Sequence, residues 1–531
     1  IELARRGYVV LALDLHSHGD SESLSIAELY DGAVGVDGAV QLIASLPYVD
    51  TARIGVTGHS SGGTAANMAV EIDNSRETPL IAAVLQQAGD WQDDTGGDHS
   101  GDYGSRSVGI IASTHDDFYF GTYDDAGNML TNPAAFMETD GAKKFLNFNE
   151  DGFAGIAEGG KYYTRDFDGK TAYRVIYRPN MIHPLVAFST TCVGYAVDFF
   201  DTTLGAPKPL PASDQIWPIK AVFNSLGVIG LLIFMVSFTL VLLDTPVFSA
   251  LRSDEMVQPA PVQDSGAKAW YWVLLIIGAV FSGTSFLFCM NTVYSKTTNF
   301  FVQTGPLTIG TWAALCGVFA IFCSAVFYGA YGKKHGWSAR RAGLYLNLEQ
   351  LWKTIALAVI VIVVSFGLVF AAHYFFQVDY RMYVVAFKTF GADKVLIALR
   401  YLPFFLLFYV MNSISANCFN YNTIGGKNGN ILIFAFFNAL GAIFVVASQY
   451  IYFYATGYQL YGLTEGQRIG PIWLFPCMVL LFVTPIMSRI IYKRTRNPYI
   501  AGLINAMFIV MISCSNTTTI LGGGELIATT F

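Results

Sequence analysis

Three stretches of the chain carry side chains of the types that nucleophilic acyl chemistry requires. Gly58-His59-Ser60-Ser61-Gly62, followed by Gly63, presents a serine hydroxyl in a glycine-flanked turn. Such a hydroxyl is a weak nucleophile until a base takes its proton and an acid orients that base. Thr114-His115-Asp116-Asp117 supplies the acid, and Arg178-Pro179-Asn180-Met181-Ile182-His183-Pro184 supplies the base. Asp116 is preferred by its offset from the preceding apolar run, with Asp117 as the alternative. In this scheme Ser60 attacks a carbonyl, His183 relays the proton, and the backbone N–H of Ser61 faces the developing oxyanion. No metal or organic cofactor is implied.

These residues need elements to hold them. Tyr8–Asp14 is a short continuous apolar run, as expected of a strand buried on both faces. Arg53–Gly58, Ile81–Gln86, Val108–Ser113 and Tyr173–Tyr177 read as further strands. Helical spacing marks Ile26–Leu46, Ser61–Glu71 and Leu185–Phe200. Strands alternating with helices predict a mainly parallel sheet covered on both sides. G-x-S-x-G at a strand-to-helix junction then makes a tight turn that exposes Ser60 at the C-terminal edge of the sheet.

The stretches LARRGYVVLALDLHSHGDSES, RIGVTGHSSGG, VGIIASTHDD and NMIHPLVAFSTTCVGYAVDFF, spread over most of residues 1–205, resemble the α/β-hydrolase superfamily. The likeness is to its serine esterases, lipases and prolyl-aminopeptidase-like enzymes. It implies an α/β-hydrolase fold with catalytic residues in the order Ser60, Asp116, His183, and a structural role for His18. The family's second oxyanion N–H comes from a loop after an earlier strand, which would precede Ile1. Ile1–Gly7 itself reads as the tail of a helix already under way, so an N-terminally truncated domain is expected, with an incomplete sheet.

Residues 121–170 form an insertion before the last strand, rich in Gly, aromatic and acidic residues, read either as a lid or as a surface excursion. The Asp90–Asp102 loop, with Asp90, Asp93, Asp94, Asp98 and Asp102, reads as solvated and acidic; it lacks the ordered ligand spacing of a calcium site. Cys192 is the one cysteine of the polar part, and none of the seven has metal-ligand or disulfide spacing.

Composition divides the chain in two. Of its 531 residues, 53% are hydrophobic and 13% charged, against about a quarter charged in an ordinary soluble domain. Residues 1–215 carry a net charge of −17 and residues 216–531 a net charge of +10. The acidic balance of the first part argues against a nucleic-acid partner. The second part holds eight runs of the roughly 20 apolar residues that a membrane span needs. They are Ile219–Leu243, Trp270–Met290, Leu307–Tyr331, Ile355–Phe376, Val395–Asn412, Ile431–Phe453, Trp473–Ile491 and Tyr499–Thr519. The expected plan is an α/β domain over 1–205, a linker over 206–218 and an all-α transmembrane bundle over 219–531.

Loop charges set the orientation. One side carries twelve Lys/Arg, including Lys333, Lys334, Arg340, Arg341, Arg489 and Lys493, and the other five. The richer side reads as cytoplasmic, which places the polar part outside. Arg400, His373 and the asparagines Asn412, Asn417, Asn420 and Asn422 are the polar groups in or beside the spans. The expected protein is a multi-pass serine hydrolase of the cell membrane, cleaving an ester, or less readily an amide, of a small or lipid-like acyl substrate. An acyltransferase would use the same residues. A transporter or sensor with a ligand-binding hydrolase-like domain is the reading from another class.

Overall fold

The computed structural model describes residues 1–92, 97–124, 129–383 and 385–525. It separates into two compact units. The first comprises Ile1–Lys220, Ser448–Ile469 and Thr518–Phe531, and the second Ala221–Ala447 and Gly470–Thr517.

The first unit is built on a five-stranded mixed sheet. Its strands are β1 (Ile54–His59), β2 (Ile81–Gln87), β3 (Ser107–Ile111), β4 (Tyr163–Phe167) and β5 (Lys170–Tyr177), in the order β1-β2-β3-β5-β4. The first four strands in that order are parallel, and β4 pairs antiparallel with β5. The main helices are α1 (Val36–Ala44), α2 (Ser61–Asn74), α3 (Asp140–Leu146) and α4 (Thr190–Leu204). Val84, Val108, Ile110 and Ile176 pack on one face with Ala65, Ala66 and Val70 of α2. Leu85, Ile111 and Val175 pack on the other face with Phe199 and Phe200 of α4. Burial on both faces explains why these strands read as continuous apolar runs; each large side chain so buried contributes about 1.5–3 kcal/mol.

Two expectations need correction. Tyr8–Asp14 is not a strand: among the described residues no ladder pairs with it, and Val9, Val10 and Leu11 are 46%, 49% and 42% exposed. An apolar run becomes a strand only where a neighbour accepts its backbone hydrogen bonds. Ile26–Leu46 is not one helix. It breaks into turns at Ile26–Leu29 and Asp31–Val34 before α1, because Gly35 adopts a left-handed φ of 94°. Within the 121–170 segment, Phe136, Ala142, Phe145 and Leu146 are buried in the sheet's own core.

In the chain of the second unit, eight helices among the described residues are long and apolar enough to cross a membrane. They are α5 (Trp217–Leu243), α6 (Ser265–Thr292), α7 (Thr304–Ala330), α8 (Leu348–Phe376), α9 (Ala392–Ile414), α10 (Gly426–Thr456), α11 (Glu465–Thr495) and α12 (Pro498–Ser515). Each contains the corresponding expected span, except that α7 ends at Ala330, one residue before the expected Tyr331, and α12 ends at Ser515, four residues before the expected Thr519, and passes into the polar stretch after it. Helix α9 continues through a π turn over Ser415–Phe419.

Candidate active site

The parallel register lines up the C-terminal ends of the strands. His59 pairs with Gln87, Gln87 with Ile111, and Ile111 with Tyr177. The chain leaves this common edge toward Ser60, Asp116 and His183. Residues 123 positions apart are therefore delivered to one edge by the sheet alone.

Ser60 sits between β1 and α2 with φ 57° and ψ −122°. This conformation costs a non-glycine residue of order 1–3 kcal/mol, and it persists only where the surroundings hold it. Here the Ser60 N–H donates to the Gln87 carbonyl at 2.9 Å, and the Ser60 carbonyl accepts from Gly63 N–H at 2.7 Å. Gly58 makes the turn possible: a Cβ there would lie 2.1 Å from the backbone of Gly62. Gly63 is equally constrained, with a Cβ 2.2 Å from Gln86 Oε1. Ser61 is the first residue of α2, at the positive end of its dipole.

The loops after β3 and β5 run together. Thr114 N–H donates to Pro179 O at 3.0 Å, His115 N–H donates to Met181 O at 3.3 Å, and a parallel bridge joins His115 to Ile182. This pairing carries Asp116 beside His183, whose Nδ1 lies 2.9 Å from Asp116 Oδ1 and 3.0 Å from Oδ2. Asp116 Oδ1 also accepts from the N–H groups of Phe118 (3.0 Å) and Tyr119 (2.9 Å), which fixes the carboxylate. Asp117, the alternative acid, does not reach the imidazole by any such contact. Its Oδ2 accepts the backbone N–H of His183 at 3.3 Å. Burial, and next the charge of Asp116, hold the Asp117 carboxyl well above the usual carboxylate range, which favours its protonated form.

Ser60 and His183 are both buried, and among the described residues Ser60 Oγ and His183 Nε2 have no hydrogen-bond partner. The His183 ring is walled by His59 (centroids 4.7 Å apart), Phe118 (5.1 Å) and Tyr119 (5.9 Å). Burial, and next the neighbouring His183, push His59 down to about 4. Neutral at physiological pH, His59 donates Nε2–H to the His183 carbonyl at 3.1 Å and so props the loop that bears the imidazole.

Three groups near the site were not assigned in the sequence. His59 lay in the motif without a role. Asp90, expected in a solvated loop, is buried, and burial pushes its carboxyl up to about 7. Of its expected companions, Asp98 accepts Ser100 N–H at 2.9 Å and Asp102 holds His99 Nδ1 at 2.9 Å, while Asp93 and Asp94 lie outside the described residues. Gln459 comes from the stretch between α10 and α11: its Nε2–H donates to Asp117 O at 2.7 Å, and nearby Tyr454 packs on His115 with centroids 4.4 Å apart. Nothing local in the sequence signals a partner 342 residues away. His18 closes its own turn, with Nδ1 2.8 Å from His16 O.

Compared with protein-family models, with curated proteins and with solved structures, the chain matches none.

Among the polar groups of the helical unit, the structure shifts attention from one set to another. His373 is exposed near the end of α8, and Arg400 donates to Phe300 O at 2.9 Å. Arg489, expected at a loop, is instead 2% exposed within α11 and bound by Asn417 and Asn430.

Proposed function

We propose that this chain is a membrane-bound serine hydrolase of the α/β-hydrolase kind, cleaving an ester, and less readily an amide, of an acyl substrate. The observation that carries the reading is the trio itself. A strained serine with an unmatched Oγ lies in one site with a histidine whose Nε2 is unmatched and whose Nδ1 rests on a fixed carboxylate.

In this mechanism Ser60 Oγ attacks the carbonyl carbon while His183 Nε2 takes its proton. The tetrahedral oxyanion turns to the N–H of Ser61 at the start of α2. His183 then protonates the leaving alcohol or amine, which leaves Ser60 acylated. A water, deprotonated by His183, releases the acid and restores the serine. Asp116 orients the imidazole through Nδ1 and stabilises its charged form.

The cell membrane is the proposed location, with the catalytic unit on the extracytoplasmic side. Setting aside the buried Arg489 leaves eleven loop Lys/Arg on one side against five on the other, so the bias that supports this orientation persists.

The test is labelling of the full-length protein in intact cells by a membrane-impermeant fluorophosphonate. Wild type should be labelled and Ser60→Ala should not. Equal labelling of the two, or no labelling of wild type in opened membranes, removes the enzymatic reading. Labelling only after the cells are opened reverses the orientation and leaves the chemistry standing.

A further inference from the structure

The helical unit encloses a cavity of about 670 Å³, within the roughly 300–1,000 Å³ typical of small-molecule sites. Its lining has two chemistries. Phe281, Trp312 and Phe319 belong to a broad apolar wall, while Asn412, Asn417, Asn420 and Asn422 form a polar one. The polar wall follows from the π turn at Ser415–Phe419, which widens the backbone where α9 ends. Such turns recur at functional sites.

Arg489 lies behind that wall. Its Nε donates to Asn417 Oδ1 at 2.8 Å, one Nη to Asn430 Oδ1 at 2.9 Å and the other to Ala416 O, and its guanidinium stacks 3.9 Å from the Tyr421 ring centroid. All of these partners are neutral. A buried guanidinium in an apolar bundle without a carboxylate partner leaves its charge uncompensated, which is costly unless an anion completes the site. Among the described residues no Asp or Glu lines the cavity, whereas the exposed Arg341 does.

We propose that this cavity binds an amphiphile with a hydrocarbon chain and an anionic head, carboxylate or phosphate. The head lies against the asparagine wall in the field of Arg489 and Arg341, and the chain runs among the aromatic side chains. The site stands independently of the chemistry proposed for Ser60.

Trp312 and Trp337 line the cavity and serve as reporters. Full-length protein in nanodiscs of neutral phosphatidylcholine is titrated with 9,10-dibromostearate, with a brominated phosphatidic acid, and with 9,10-dibromostearyl alcohol. The proposal expects saturable quenching by one or both anionic probes, at least tenfold tighter than by the alcohol. Quenching should be lost from the Trp312→Phe/Trp337→Phe double variant. Preference for stearate identifies a free acid as the source, and preference for phosphatidic acid a lipid. Gly278 also lines the cavity, and a Cβ there meets nothing within 4 Å, so Gly278→Leu is the variant that adds bulk to the cavity wall. It should weaken both anionic probes about tenfold, and Arg341→Ala should reduce the preference for them over the alcohol. Non-saturable quenching, equal binding of the alcohol, or quenching retained in the double tryptophan variant overturns the proposal.

Discussion

Replacing Asp116 and Asp117 separately by asparagine should have sharply unequal effects. Asp116 Oδ1 accepts two backbone N–H groups, from Phe118 and Tyr119, so an asparagine there keeps its oxygen on those donors. Its NH2 then occupies the place of Oδ2, 3.0 Å from His183 Nδ1. Nδ1 then faces a donor as well as the retained Oδ1 at 2.9 Å, which favours the tautomer with the hydrogen on Nε2, the atom that has to accept the serine proton. A wrong tautomer of this kind costs about 10⁴-fold in rate, or roughly 5–6 kcal/mol of transition-state stabilisation. Asp117 is different, because burial favours its neutral carboxyl and its Oδ2 accepts the His183 backbone N–H at 3.3 Å. An asparagine of the same shape keeps that acceptor, so Asp117→Asn should change the rate by less than about threefold, within the range of one neutral hydrogen bond. The assay is the second-order rate of fluorophosphonate labelling of full-length protein in membranes, which needs no knowledge of the natural substrate. Equal rates for the two variants, or a larger loss in Asp117→Asn, would refute the assignment of the acid.

Two further outcomes follow from the surroundings of the site. The Asp90 carboxyl, pushed up to about 7 by burial from an ordinary value of 3.8, makes the folded state hold a proton that the unfolded chain releases earlier. Stability should therefore fall as pH rises from about 4 to 7 and level off above, by an amount on the order of 4 kcal/mol, and Asp90→Asn should remove this dependence. Parallel melting-temperature profiles of wild type and variant over that range would contradict it. Gln459→Ala removes the N–H that holds the Asp117 carbonyl, a loss of about 1 kcal/mol, and should slow labelling by up to about fivefold with little change in melting temperature. An unchanged labelling rate would show that this stretch does not position the catalytic turn.

The sequence determined the parts whose signals are local. Gly58 through Gly63 marked the turn because its backbone tolerates no Cβ at two of those positions. Buried strands and long apolar helices were legible because each element records the solvent on its faces in its own periodicity. The order Ser60, Asp116, His183 was legible because parallel strands deliver successive loops to one edge. Tertiary structure alone decided what depends on partners distant in the chain. Tyr8–Asp14 has the composition of a strand but, among the described residues, no neighbour to pair with, and pairing is not written in a run of side chains. Asp116 and Asp117 are chemically identical in sequence, and only the fold, through the His115–Ile182 bridge, sets one against the imidazole and the other against the His183 backbone N–H. Arg489 looked like a loop cation until the asparagines of two other helical segments enclosed it, because burial is a property of what packs around a residue.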